Sequence, residues 1–101
     1  MKSIIKNLNK VFESRIRLGV MSVLLVNDRV DFNTLKKLLN ITDGNLASHI
    51  NALQNKKYIK VKKQFLNKKP NTSYSVSELG KKAFNDHLNA LEKIIRKGVD
   101  F

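Results

Sequence analysis

Apolar residues recur at helical spacing from the start of the chain: Ile4, Ile5, Leu8, Val11, Phe12, Ile16, Val20, Val23 and Leu24. Asn27-Asp28 closes this stretch. Ser3 is a candidate cap and Gly19 weakens the middle, so the pattern fits one helix or two. Arg29-Val30-Asp31-Phe32 alternates and suits a very short strand. Asn33 can then cap a helix from Thr34 to Leu39, with Leu35, Leu38 and Leu39 inward. After a break at Asn40-Ile41, Thr42 or Asp43 caps a second helix to about Asn55, where Leu46, Ile50 and Leu53 share one face.

The period then changes to two. From Tyr58 to Leu66, Ile59, Val61 and Phe65 share one strand face and Lys60, Lys62 and Gln64 the other. Asn67-Lys68-Lys69-Pro70-Asn71 reads as a loop, and Thr72 to Val76 alternates again as a returning antiparallel strand. Ser77 can cap a last helix through Arg96, with Leu79, Ala83, Phe84, Leu88, Leu91, Ile94 and Ile95 apolar. The expected order is helix, short strand, helix-turn-helix, β-hairpin, long helix, which makes a mainly α protein with a small β-hairpin, an α+β class. No repeat or linker divides residues 1–101, so a single domain is expected.

Two stretches carry a family resemblance. Leu38-Leu39-Asn40-Ile41-Thr42-Asp43-Gly44-Asn45-Leu46-Ala47-Ser48-His49-Ile50-Asn51-Ala52-Leu53 is similar to the recognition-helix motif of winged helix-turn-helix regulators of the MarR/ArsR kind. Thr72-Ser73-Tyr74-Ser75-Val76-Ser77-Glu78-Leu79-Gly80-Lys81 resembles the strand-to-helix motif of the same regulators. In that family a glycine usually follows the recognition helix; here Lys56 or Lys57 stands in its place, at some cost in the left-handed conformation. The resemblance implies a winged helix with extended terminal helices, about residues 3–27 and 78–97, that join two copies. It also implies a wing tip that lies along the DNA backbone or enters an adjacent minor groove.

Charge agrees with that expectation. The 101 residues include 20 Lys and Arg against 8 Asp and Glu, a formal net charge of +12. Between Asp43 and Glu78 there are seven lysines and no acid. Such asymmetry suits phosphate contact, where neutralisation releases condensed counterions; the plainer alternative is a solvated lysine-rich hairpin. Small polar side chains opposite the apolar face of the second helix suit a major groove roughly 12 Å wide. The candidate DNA-binding residues are Thr42, Gly44, Asn45, Ser48, His49 and Asn51 on that helix. Lys60, Lys62, Lys68, Lys69 and Thr72 join them from the hairpin. Asn45 and Asn51 can bond adenine edges, and Lys68 and Lys69 lie at the wing tip.

Other chemistry is poorly supported. The chain has no cysteine, which removes disulfides and thiolate metal sites. Asp86 and His87 are neighbours on a helix, about 100° apart, and do not converge on one ion. No nucleophile–base arrangement appears, so neither an enzyme, a cofactor nor a metal site is expected. The longest nearly apolar run, Leu18 to Val26, is about half of the roughly 20 residues a membrane span needs. The N-terminus lacks the continuous apolar core of a signal peptide, and a cytoplasmic protein is expected.

Ile4, Ile5, Leu8 and Phe12 at one end, with Leu88, Leu91 and Ile95 at the other, form stripes suited to a dimer interface. The expected function is a homodimeric, sequence-specific double-stranded-DNA-binding regulator, a repressor on a pseudo-palindromic operator. The alternative is a non-specific architectural protein that coats nucleic acid. A small-molecule effector is left open.

Overall fold

The computed structural model describes residues 3–96. Met1, Lys2 and residues 97–101, which the single-domain reading and the expected end of the last helix include, lie outside the described residues.

The first apolar run, which fits one helix or two over about 3–27, is an α-helix only in its second half. Ser3 to Leu8 makes irregular turns, Lys10–Phe12 a single 3₁₀ turn, and only Arg15–Leu25 an α-helix, α1. The side chains explain the interruptions. Asn9 accepts a hydrogen bond from the Val11 amide, and Ser14 accepts one from the Arg17 amide, so each residue starts a new turn in extended backbone. Gly19 does not break α1: a Cβ there would come within 2.8 Å of Leu39, and the bare backbone lets the next helix approach.

Strand β1 is only Val30–Asp31, and α2 runs Phe32–Leu39. The N-cap of α2 is Asp31 rather than the expected Asn33; its carboxylate accepts from the Thr34 amide at 2.8 Å. Asn40, left-handed at φ 52°, ends α2. Helix α3 follows at Asp43–Asn55, then β2 at Ile59–Leu66, β3 at Lys69–Val76 and α4 at Glu78–Arg96. The sheet order is β1-β3-β2, antiparallel throughout.

The expected loop over 67–71 is mostly strand. Asn67 and Lys68 alone form the turn, at φ 52° and 64°, and Leu66 pairs with Lys69, Phe65 with Pro70 and Gln64 with Asn71. Two consecutive left-handed residues match the right-handed twist of a two-residue hairpin. Pro70 is tolerated because β1 reaches only Ser73 and Tyr74, which leaves the other side of β3 unpaired at that point.

The core is assembled from α1, α2, α3, the sheet and α4: Val20, Met21, Leu24, Leu35, Leu46 and Leu53 are fully buried. Each contributes about 1.5–3 kcal/mol through burial. A second centre is aromatic. Phe12 meets Phe84 edge-on at 5.0 Å, Tyr58 at 5.6 Å and His87 at 5.3 Å, tying the N-terminal turns to the α3–β2 connection and to α4.

Candidate nucleic-acid interface

Helix α3 is positioned from both ends and along one face. Thr42 is its N-cap, accepting from the Asn45 amide at 3.2 Å. Asp43, the first helical residue, pairs with Lys36 of α2 at 2.8 Å, an exposed ion pair worth under about 1 kcal/mol. Burial of Leu46, Ile50 and Leu53 sets the rotation of the helix. Gly44, Asn45, Ala47, Ser48 and Asn51 are thereby left exposed, as the pattern predicts. A Cβ on Gly44 would meet nothing within 4 Å, so the protein's own packing does not require glycine there.

His49 stands apart from that surface. It is half-buried, and its Nδ1 lies 2.9 Å from an Arg17 guanidinium nitrogen. Arg17 can only donate, so Nδ1 accepts and the ring is neutral with its proton on Nε2. The same guanidinium donates through Nε to the Val11 carbonyl at 2.6 Å. Burial, reinforced by the Arg17 charge, holds the His49 pKa below the usual 6.5. His49 thus ties α3 to α1. No local sequence signal marks Arg17 as the partner of His49, because 32 positions separate the two.

The hairpin is anchored at its root. Lys57 takes the left-handed position at φ 63°, and the Tyr58 amide bonds back to Leu53 at 3.0 Å. The glycine missing from the resemblance is therefore replaced by a lysine in the same backbone conformation. The Ser77 hydroxyl donates to the Lys57 carbonyl at 2.6 Å and accepts from the Gly80 amide at 2.9 Å, capping α4 as expected. A Cβ on Gly80 would collide with the Tyr58 carbonyl oxygen, so this junction requires glycine.

Lys56, Lys57, Lys60, Lys62, Lys63, Lys68 and Lys69 are all exposed, and none is paired with a carboxylate among the described residues. Lys60 and Lys62 stand opposite Ser75 and Ser73 across the ribbon; Thr72 is half-buried opposite Lys63. Of the strand face formed by Ile59, Val61 and Phe65, only Ile59 is buried.

The expected dimer residues divide. Phe12 is 3% exposed and belongs to the aromatic core, so it is removed from that set. Ile4, Ile5, Leu88, Leu91 and Ile95 are exposed, and Leu8 is half-buried. His87 is also internal: its Nδ1 accepts from the Asn9 amide at 3.0 Å, while the Asn9 side chain donates to the Tyr58 hydroxyl at 3.1 Å. No group of three potential metal-ligating side chains occurs among the described residues. No described helix is long and apolar enough to cross a membrane.

The fold that carries this helix and ribbon is found in known proteins. Residues 16–95 match the winged helix DNA-binding domain. The chain belongs to that family. Further similarities cover most of the chain. An uncharacterized protein of Methanocaldococcus jannaschii is 30% identical over 79 residues, covering 78% of this chain and 86% of its own. The structure of a transcriptional regulator homologue from Pyrococcus horikoshii superposes with a TM-score of 0.82 at 30% identity, over 97% of this chain and 94% of that one. A MarR-family regulator of Porphyromonas gingivalis shares the fold, with a TM-score of 0.67 at 20% identity, over 87% and 85% of the two chains. The family is one of DNA-binding domains, not of enzymes.

Proposed function

We propose that this winged helix protein is a cytoplasmic, homodimeric regulator that reads a pseudo-palindromic operator in duplex DNA and represses transcription. The observation that carries the reading is the acid-free run of seven exposed lysines joined directly to α3, whose polar face is also exposed. Lys60, Lys62, Lys68 and Lys69 neutralise phosphates. Asn45, Ser48 and Asn51 reach base edges from the major groove, and Thr42 and Thr72 flank the contact. Gly44 adds no side chain of its own to the first turn of α3, allowing close backbone approach at that position. His49 orients the helix through Arg17.

Two copies are needed to read a two-fold site, with recognition helices roughly 34 Å apart. Ile4, Ile5, Leu8, Leu88, Leu91 and Ile95 supply the apolar surface. The contact between the Asn9 amide and His87 holds the N-terminal segment against α4, bringing both stripes onto neighbouring elements.

The test is a duplex titration across salt concentrations. The logarithm of affinity falls linearly with that of salt, with a slope of about −0.9 per phosphate neutralised. The Lys68→Ala/Lys69→Ala double variant flattens the slope by about two and weakens binding to every sequence. Asn45→Ala instead changes the sequences recovered from a random duplex library. An unchanged slope removes the wing from the interface; equal affinity for all sequences favours a coating protein.

A further inference from the structure

The fold leaves Phe65 without a partner. Its side chain is 77% exposed, whereas the other described aromatic residues are buried or half-buried. It faces Pro70 across the ribbon, itself exposed, and Leu66 beside it is 48% exposed. No core lies behind these residues. Strand β1 pairs only with Ser73 and Tyr74, so the ribbon is two-stranded from Lys63 and Thr72 outward. An apolar ring on a free two-stranded edge invites self-association and calls for a partner surface.

Charge selects the partner. Every charged residue of the hairpin is a lysine: Lys60, Lys62, Lys63, Lys68 and Lys69. An apolar ring and a proline near the end of a lysine-flanked ribbon match the wedges that enter a minor groove roughly 6 Å wide. We propose that Phe65, with Pro70 beside it, is the non-ionic part of the wing contact. Its ring packs into the minor groove of duplex DNA against sugars and base edges, while the surrounding lysines neutralise phosphates. This inference rests on the DNA-binding reading and deepens it.

The two contributions separate experimentally. Lysine contacts release counterions and set the salt slope, whereas burial of a neutral ring leaves the ion count unchanged. Phe65→Ala is expected to lower affinity about tenfold at every salt concentration, giving a line parallel to the wild type. Its circular dichroism stays that of the wild type, because Phe65 makes no buried contact. The chain has no tryptophan, so Phe65→Trp introduces a single reporter at this position.

With a random-sequence duplex at saturation, followed by the anisotropy of a labelled strand, the reporter's emission shifts to the blue. It also becomes shielded from acrylamide. Unweakened binding by Phe65→Ala overturns the inference, as does a reporter that bound duplex leaves unmoved. Shielding that depends on protein concentration without DNA assigns the ring to a protein contact and also overturns it. If the wild type binds no duplex at low salt, the DNA-binding reading itself fails; binding with an unmoved reporter defeats only the Phe65 inference.

Discussion

Arg17 and His49 illustrate how one residue can face two tasks. The His49 ring is attached to the helix whose outer face meets solvent, yet its Nδ1 is occupied by an arginine of another helix. Burial and the guanidinium charge both disfavour imidazolium, so its folded pKa lies below the unfolded value near 6.5. Below that value the unfolded chain binds the proton more readily than the native one, and linkage then lowers stability. The contribution is complete above pH 6.5 and is lost as pH falls through the folded pKa. Urea midpoints measured from pH 7.5 to 5 are expected to fall less in His49→Gln than in the wild type. Equal pH dependence in both would show that His49 does not carry the effect.

At the scale of elements, the α3–β2 junction concentrates the constraints. Lys57 holds a left-handed conformation that costs an L-residue roughly 1–2 kcal/mol, and the Ser77 hydroxyl bonds its carbonyl in that geometry. Lys57→Gly removes the steric penalty but frees the unfolded chain, for an expected net gain of roughly 0.5–1 kcal/mol. The urea midpoint rises with an unchanged m value; a lower midpoint would mean that the lysine stem contributes packing that outweighs the strain. Because the substitution also removes a charge next to the ribbon, the salt slope for duplex binding falls slightly if this lysine touches phosphate. On α2, Thr34 donates to Asp31 from both its side chain and its amide, holding that carboxyl below the usual range. The resulting stabilisation is present above the unfolded carboxylate pKa and is lost on acidification through the folded one.

The whole molecule is elongated, 61 Å long against 25 and 21 Å across. After Ala90 no described residue of α4 is buried, although Leu91 and Ile95 are apolar. Leu88 and Leu91 keep 39% and 42% of their surface exposed, and an unchanged circular dichroism spectrum is the control that the monomer still folds with aspartate at both positions. In a homodimer formed through this face, each aspartate would be buried without a partner, at a cost of several kcal/mol. Sedimentation of the Leu88→Asp/Leu91→Asp variant is therefore expected at the monomer mass, with weakened binding to a two-half-site duplex. A wild type that sediments as a monomer, or a double variant that remains dimeric, removes this face from assembly.

Local chemistry was enough to read the order of elements, the burial of Leu46, Ile50 and Leu53, and the lysine run. Helical periodicity, turn residues and charge all act within a few positions along the chain. The same locality explains the misses. Asn9 and Ser14 each restart the first helix through a hydrogen bond that competes with helix continuation, and Asp31 was one turn-former among neighbours including Asn33. Phe12 looked like half of an exposed stripe until Tyr58, Phe84 and His87 enclosed it. Sequence alone therefore determined which faces are apolar, which are polar and where positive charge gathers. Tertiary structure decided which apolar faces find a partner within the chain, as Phe12 does and Phe65 does not, because burial depends on residues that are distant in sequence and adjacent only after folding.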